Sequence, residues 1–190
     1  MTPVDPVDRA ARALARDRLV VFPTDTLYGL GARADRPSAV RRLLIAKGRP
    51  PSTPLSFAVS SYEEIERWAS LDPPARAEVR GRLPGPYTLL LRANARARRS
   101  LAPAVLGPGG TIGVRIPDHP IARRLAFRSG PVVATSANRH GRPPARSIEA
   151  ARRTFGAAVE VYLDGPPAPR GRPSQIIDLT GAAPRAVPRG

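Results

Sequence analysis

The chain has 190 residues, enough for one domain with a proper hydrophobic core. Its formal net charge of +16 predicts a polyanionic partner such as RNA, DNA, a nucleotide or an acidic lipid, and the lack of cysteine excludes disulfides and thiolate chemistry. No segment approaches the ~20 apolar residues of a membrane span, and no signal-peptide pattern opens the chain, so we expect a cytoplasmic protein without a membrane partner.

Helical and extended patterns alternate along the chain. Helices are predicted at about residues 6–18, 38–46, 62–69, 73–82, 120–128 and 148–155, with Ser38, Ser61 and Ser147 as N-caps. Strands are predicted at residues 19–22, 55–59, 87–92, 111–116, 131–134, 159–163 and 174–179. The alternation has no repeat, and it predicts an α/β fold in which a twisted, open, mixed sheet carries helices on its faces.

We expect a single domain over residues 1–190, with its core at about 8–180. Residues 96–100 form a basic segment, and residues 107–110 form a Gly-rich turn. The Pro- and Gly-rich residues 165–173 predict a mobile loop, and residues 180–190 are expected to form a C-terminal tail.

The most informative stretch runs from Phe22 to Pro50. The buried strand 19–22 breaks at Pro23 into hydroxyl and carboxylate residues and then two glycines, which we interpret as a polar turn. The following helix ends at Gly48, beside Lys47 and Arg49. This order of strand, turn, helix and cation pair is typical of an anionic ligand lying over the end of a sheet.

Lys47 is the only lysine among 31 basic residues. A coding bias toward arginine explains the other thirty, and an exception is expected where a compact ammonium fits and a guanidinium fork does not. The alternative is chance, because the C-terminus of a helix favours any cation. Composition alone does not decide between a specific requirement for lysine and chance.

The sequence lacks the motifs of several common enzyme classes. There is no Gly-x4-Gly-Lys-Ser/Thr, which excludes a P-loop. The glycines of residues 29–34 resemble a dinucleotide fingerprint, but residues 24–28 separate them from the strand and no acidic residue follows about 20 positions on. Ser136 is outside a Gly-x-Ser-x-Gly elbow, His119 and His140 are isolated and expected at the surface, and no acidic or histidine cluster has metal-ligand spacing.

Hydroxyls, an amide and cations recur at predicted strand ends. They are Thr24, Thr26, Lys47, Arg49, Thr111, Arg115, Ser136, Asn138, Ser174 and Arg189. Strand ends of an open α/β sheet build one crevice, which here is cationic and poor in general bases. That inventory favours phosphoryl or nucleotidyl transfer, where catalysis is positioning and charge stabilisation. The alternative is that Ser and Thr are turn residues and Arg is frequent everywhere.

Six motifs in order give the chain a resemblance to the Sua5/YrdC family, the threonylcarbamoyl-AMP synthases, over about residues 8–190. They are residues 22–31, 47–50, 84–88 (Pro-Gly-Pro-Tyr-Thr), 113–120, 134–138 and 174–178. The resemblance implies the short, single-domain form with a YrdC-like fold. It implies an L-threonylcarbamoyladenylate synthase, which makes threonylcarbamoyl-AMP and pyrophosphate from L-threonine, bicarbonate or CO2 and ATP. The product serves the N6-threonylcarbamoyl modification of adenosine 37 in tRNA.

The resemblance also implies roles for single residues. Lys47 and Arg49 would be catalytic, with Mg2+ carried on the ATP phosphates and no metal held by the protein. Threonine would be held by Thr26, Arg115, Ser136 and Ser174. ATP would be held by Lys47, Arg49, Thr53, Thr111, Asn138, Arg146 and Arg189. A partner protein would transfer the product to tRNA, which this chain would contact weakly.

The sequence departs from the family pattern at three positions. Ala58 stands where many long-form members have a histidine, Gln175 stands where many have a threonine, and His140 has no family role. The charge of +16 keeps one alternative open: a non-catalytic RNA-binding paralogue of the same fold, acting on tRNA or rRNA.

Overall fold

A computed structural model describes residues 5–188. Its helices are α1 (Pro6–Ala15), α2 (Pro37–Lys47), α3 (Tyr62–Trp68), α4 (Pro73–Arg82), α5 (Ala95–Ser100), α6 (Pro120–Ser129) and α7 (Ile148–Phe155). Its strands are β1 (Leu19–Pro23), β2 (Tyr28–Arg33), β3 (Phe57–Ala58), β4 (Ala69–Ser70), β5 (Tyr87–Ala93), β6 (Leu106–Gly107), β7 (Thr111–Arg115), β8 (Val132–Ser136), β9 (Val159–Tyr162), β10 (Gln175–Asp178) and β11 (Arg185–Val187). Short 3-10 turns cover Pro103–Val105, Pro108–Gly110 and Gly156–Ala158.

The strands form one mixed sheet. Its order is β11-β10-β5-β7-β3-β8-β2-β1-β9, with β4 added beside β5 and β6 beside β7. The pairs β1–β9, β3–β7 and β5–β10 are parallel, and the other pairs are antiparallel. Helices cover both faces of this open sheet, which confirms the predicted fold class.

Two hydrophobic cores lie on opposite faces of the sheet. The first packs α2, α3 and neighbouring segments against alternate strand residues such as Leu30, Leu89 and Val114. The second packs α1 and α6 against Val20 and Phe22 and against parts of β8 and β9. Successive strand residues point to opposite faces, so one strand serves both cores.

The stretch predicted as a polar turn with two glycines is instead a hairpin. The chain reverses within residues 24–27, and β2 returns antiparallel to β1 with Phe22 opposite Gly29. A Cβ on Gly31 would lie 2.8 Å from the Phe22 ring, so the close approach of ring and backbone requires glycine there. These glycines fit an aromatic ring against a strand, not a dinucleotide.

Other boundaries differ from the predictions. Ser38 is not the N-cap of α2: Pro37 begins that helix, and the Ser38 hydroxyl donates to Asp17 at 2.5 Å. The first helix ends at Ala15, and the strand predicted at 55–59 is observed only at Phe57–Ala58, as β3. The basic segment 96–100 is helical in α5, and the C-terminal tail contains β11. The predicted caps Ser61 and Ser147 are confirmed, because each accepts a backbone N–H of the helix that it begins.

Candidate active site

Polar and small side chains share one sheet face beside the second core. Ile112 and Val114 of β7 belong to the first core, so the alternation places Gly113 and Arg115 on the opposite face. The paired strands put Ala58 beside Arg115. The same face continues through Ser56, Leu90, Thr111, Ala134 and Ser136, which are only partly buried. The side chains on this face are therefore short, and solvent can reach them.

The site is spread over this face. The positions at strand ends had instead predicted a crevice along one edge of the sheet. Thr111 and Arg115 lie at opposite ends of β7. Antiparallel β8 places Ser136 toward the Thr111 end, because Val133 is level with Phe57 and therefore with Val114. In a mixed sheet the strand ends do not all meet at one edge, so the single crevice inferred from strand ends stays a prediction.

Arg115 is fixed by the hairpin between β1 and β2. Its guanidinium donates to Asp25 Oδ1 at 2.6 Å and to Thr26 Oγ1 at 3.0 Å. Asp25 is 4% exposed and Arg115 is 5% exposed, so this ion pair is buried. The second carboxylate oxygen of Asp25 is buried without a hydrogen-bond partner in the described part of the chain. The pair holds a guanidinium on the polar face of the sheet.

Thr24 stabilises the hairpin turn itself. Its hydroxyl oxygen lies 2.7 Å from the carbonyl of Leu27, 3.2 Å from the backbone nitrogens of Thr26 and Leu27, and 2.9 Å from the Thr26 hydroxyl. A hydroxyl has one donor and two acceptor lone pairs. Thr24 is therefore saturated, and the turn explains it without a ligand.

Lys47 reaches from the end of α2 into the loop after β8. Its ammonium donates to the carbonyls of Ser136 at 2.6 Å and Asn138 at 2.8 Å, and to Asn138 Oδ1 at 3.2 Å. Burial, and then the neighbouring charge of Arg49, lower the pKa of Lys47 to about 8. The Ser136 hydroxyl also donates to Asn138 Oδ1, at 2.6 Å. Lys47 thus holds the backbone of residues 136–138 in place.

Arg49 follows a left-handed turn at Gly48, whose φ is 61°. Its Nη2 donates to the carbonyl of Pro54 at 3.3 Å, while its Nε is buried without a hydrogen-bond partner among residues 5–188. Burial lowers the pKa of Arg49. No ion pair within that range involves Lys47 or Arg49. Two uncompensated cations side by side favour an anionic ligand.

The remaining predicted residues are placed unevenly. Thr111 is half-buried and donates to the carbonyl of Pro108 at 3.1 Å, whereas Thr53 and Arg146 are exposed. Ser174 is buried and lies on the site face. Arg189 lies outside the described residues. The structure therefore brings together Thr26 with Arg115 and Lys47 with Ser136 and Asn138, and it leaves Thr53 and Arg146 on surrounding loops.

Residues 164–173, which we call the strap, are tied to the hairpin. The backbone nitrogens of Arg170 and Gly171 donate to the carbonyls of Asp25 and Thr26 at 3.2 and 2.8 Å. The Tyr28 hydroxyl donates to Asp164 at 2.7 Å, and burial, together with that carboxylate, raises the pKa of Tyr28 to about 12. The strap thus lies across the elements that hold Arg115.

The predicted surface position of His119 is wrong, because this residue is 1% exposed. Its Nδ1 accepts the N–H of Ile121 at the start of α6, and its Nε2 lies 2.9 Å from the carbonyl of Pro167 in the strap. Asp25, Thr88 and His119 were not assigned roles from the sequence, although each falls inside a family motif. His140 is exposed, as expected.

Across residues 5–188, no three or more His, Cys, Asp or Glu side chains are grouped so that they could bind a metal ion. No helix in the same range has the length and apolar character needed to cross a membrane.

Known proteins are similar to this chain in sequence and in fold. The family model Sua5_yciO_yrdC, described as telomere recombination, matches residues 12–190. A threonylcarbamoyl-AMP synthase of Chromohalobacter salexigens is 40% identical over 177 residues, covering 92% of this chain and 93% of that protein.

Solved structures agree. Sua5 of Pyrococcus abyssi, crystallised with L-threonine, superposes with a TM-score of 0.86 and 36% identity over 95% of this chain and 52% of that one. This chain therefore spans about half the length of that Sua5. Escherichia coli YciO superposes with a TM-score of 0.84 and 25% identity, over 97% of this chain and 88% of that one. The chain belongs to the Sua5/YciO/YrdC family.

Proposed function

We propose that this chain is an L-threonylcarbamoyladenylate synthase, which forms threonylcarbamoyl-AMP and pyrophosphate from L-threonine, bicarbonate or CO2 and ATP. One observation carries the proposal: a hydroxyl-flanked guanidinium, Arg115, lies on one sheet face, and a separate cation pair, Lys47 and Arg49, at the end of α2 forms no ion pair within the described residues. One centre suits an amino-acid carboxylate and the other a polyphosphate. The synthase activity named for relatives at up to 40% identity supports this assignment.

The amino-acid site is centred on Arg115. The guanidinium fork pairs with the substrate carboxylate, while Asp25 and Thr26 keep it oriented. Ser174 adds a hydroxyl on the same sheet face, and Ser136 lies toward the Thr111 end of that face. For Thr26, Arg115, Ser136 and Ser174 we propose the threonine-binding role that the resemblance implies.

The ATP site lies toward the other end of β7. In this proposal Arg49, Thr53, Thr111, Asn138 and Arg146 bind the nucleotide. The same role is proposed for Arg189, which lies outside the described residues. Mg2+ enters as part of the MgATP substrate and neutralises phosphate charge. Mg2+ keeps several waters and binds mainly through substrate phosphates, so it needs no dedicated cage of protein ligands.

The chemistry requires no side-chain nucleophile. The threonine amine adds to CO2 and loses a proton, which forms a carbamate. A carbamate oxygen then attacks the α-phosphorus of ATP, and the bond to the β-phosphate oxygen breaks to release pyrophosphate. The protein aligns two anions and stabilises charge at phosphorus. Arg49 is the cation that can stabilise the charge at phosphorus. Lys47 fixes residues 136–138 and adds positive potential.

The labile product then passes to a partner transferase that modifies tRNA, in the cytoplasm, where ATP and tRNA are available. A weak contact between this basic chain and tRNA assists the transfer. The RNA-binding alternative without catalysis is not favoured, since the relatives are named as synthases.

The test measures pyrophosphate release by purified protein with MgATP, omitting L-threonine or bicarbonate in turn. We expect release only when both are present. Lys47→Ala is expected to reduce it at least about a hundredfold, because the loop of residues 136–138 loses its anchor and the site loses a charge. Arg42→Ala, an exposed change on the same helix, is the control. A fully active Lys47→Ala protein, or release without threonine, contradicts the proposal.

A further inference from the structure

A groove lies beside the outer surface of α2, away from the site face. Its volume is about 310 Å3, at the lower limit of the roughly 300–1,000 Å3 of small-molecule pockets. It therefore has room for a few side chains of a partner. The groove is formed by α2, by the turn before β1 and by the segment after α7, through Arg18, Arg42, Ile45, Ala157, Ala158 and Glu160.

Ile45 supplies the large apolar side chain of this groove. It is 72% exposed, although Leu43 and Leu44 of the same helix are buried in the first core. Residues 45 and 47 are about 200° apart around the helix, so Ile45 points away from Lys47 and from the candidate active site. The exposed Ala157 and Ala158 extend the apolar surface. An exposed apolar surface rimmed by polar residues is typical of an interaction site.

The rim of the groove is positively charged. Glu160 contacts Arg16 at 2.7 Å and Arg18 at 3.5 Å, so two arginines share one carboxylate. Arg42 lies three residues before Ile45, on the same side of α2, and forms no ion pair within residues 5–188. With three arginines and one carboxylate, the rim attracts negative charge.

These two features together favour an acidic and apolar protein segment. RNA would match the arginines, but the described lining residues include no aromatic side chain on which a base could stack. A second copy of this chain would bring its own net charge of +16 to a basic rim. An amphipathic helix with acidic flanks matches both the apolar floor and the charge.

We propose that this groove docks an acidic amphipathic helix of a partner protein. Its apolar side chains pack on Ile45 and the alanines, and its carboxylates pair with Arg18 and Arg42. Burial of Ile45 supplies affinity, whereas the exposed charge pairs at the rim supply specificity. The groove lies outside the proposed active site, so its role does not depend on the synthase assignment.

The test uses a dye-labelled synthetic peptide of about 18 residues, long enough to form a helix, with Leu at i, i+3, i+4 and i+7 and with Glu and Ala elsewhere. Fluorescence anisotropy at about 0.15 M NaCl measures its affinity. We expect Ile45→Asp to weaken binding at least about tenfold, because it removes the apolar contact and repels the carboxylates. Phe127→Asp is the matched control, since Phe127 of α6 is 69% exposed. Its affinity should stay within about twofold of the wild type.

Equal weakening by the two variants would assign binding to the net charge of the chain and overturn the inference. So would a wild-type protein that does not bind the acidic peptide, or that binds equally well a peptide with Lys in place of each Glu. Binding of a short RNA duplex that depends on Ile45, or a dimer that Ile45→Asp disrupts, would assign the groove to another occupant and also overturn it. If Ile45→Asp fails to fold, Ile45→Ser is compared with Phe127→Ser by the same assay.

Discussion

The lone lysine of the chain is explained by the oxygens around it. Lys47 brings a compact ammonium to two backbone carbonyls and one amide oxygen, all within 3.2 Å. An ammonium can direct three donors to such a cluster, whereas a planar guanidinium needs a wider site. The structure therefore favours a specific requirement for lysine over chance.

We predict that Lys47 titrates near pH 8 in the free protein, because burial and Arg49 disfavour its charged form. The unfolded chain keeps the proton up to the ordinary value of 10.5. Below pH 8 the buried charge of Lys47 therefore lowers the free energy of unfolding to its full extent. This loss of stability disappears as the pH rises from 8 to 10.5. Binding of ATP should raise the pKa of Lys47, and ATP affinity should fall as the pH rises above 8.

Labelling with 13Cε-lysine measures this directly, since a chain with one lysine gives one side-chain resonance in the NMR spectrum. Arg49→Gln should move the midpoint upward, because it removes a neighbouring positive charge. A midpoint at the ordinary value in the free protein, or one that ATP leaves unchanged, would contradict the prediction.

At the scale of elements, His119 joins the strap to the start of α6. His119→Asn keeps a side chain that can cap α6 but withdraws the ring from the carbonyl of Pro167. We expect the amides of Arg170 and Gly171 to exchange hydrogen about tenfold faster, as one hydrogen bond holding the strap is lost. Hydrogen exchange followed by mass spectrometry measures the change. His140→Asn is the matched control, and equal exchange in the two variants would show that His119 does not hold the strap.

Elements with strong local signals were predicted well, and elements that depend on their neighbours were not. Helix α4 begins at tandem prolines with Asp72 as its cap, and it was predicted to within its observed bounds. Strand β2 was missed because its alternating glycines have low strand propensity, and the strand is stabilised by pairing with β1 and β8 and by the close approach of the Phe22 ring. Helix α5 was missed because four of its six residues are charged or polar and it buries only Ala97.

At the scale of the whole molecule, 31 basic residues outnumber 15 acidic ones, so 16 positive charges have no acidic counterpart in the chain. Most of the described ion pairs are exposed, and the Asp25–Arg115 pair is the buried exception in the described chain. We therefore expect the melting temperature to rise by several degrees between about 0.02 and 0.3 M NaCl, as salt screens the repulsion between arginines. Differential scanning calorimetry measures this.

Arg49→Gln is the control for chloride binding at the cation pair. The rise in melting temperature with salt should persist in this variant if general screening of charge causes it. A melting temperature that falls with salt, or an increase that disappears in Arg49→Gln, would assign the effect to specific pairs.

The sequence by itself determined the fold class and the family, because apolar periodicity and ordered motifs are local properties of the chain, and the site residues that it names stay predictions. It also singled out Lys47 by composition. Only the tertiary structure decided that the site covers a sheet face, that Thr24 belongs to a turn, and that His119 is buried. The physical reason is that strand direction and register join residues far apart in the chain, and no local pattern specifies which strands become neighbours.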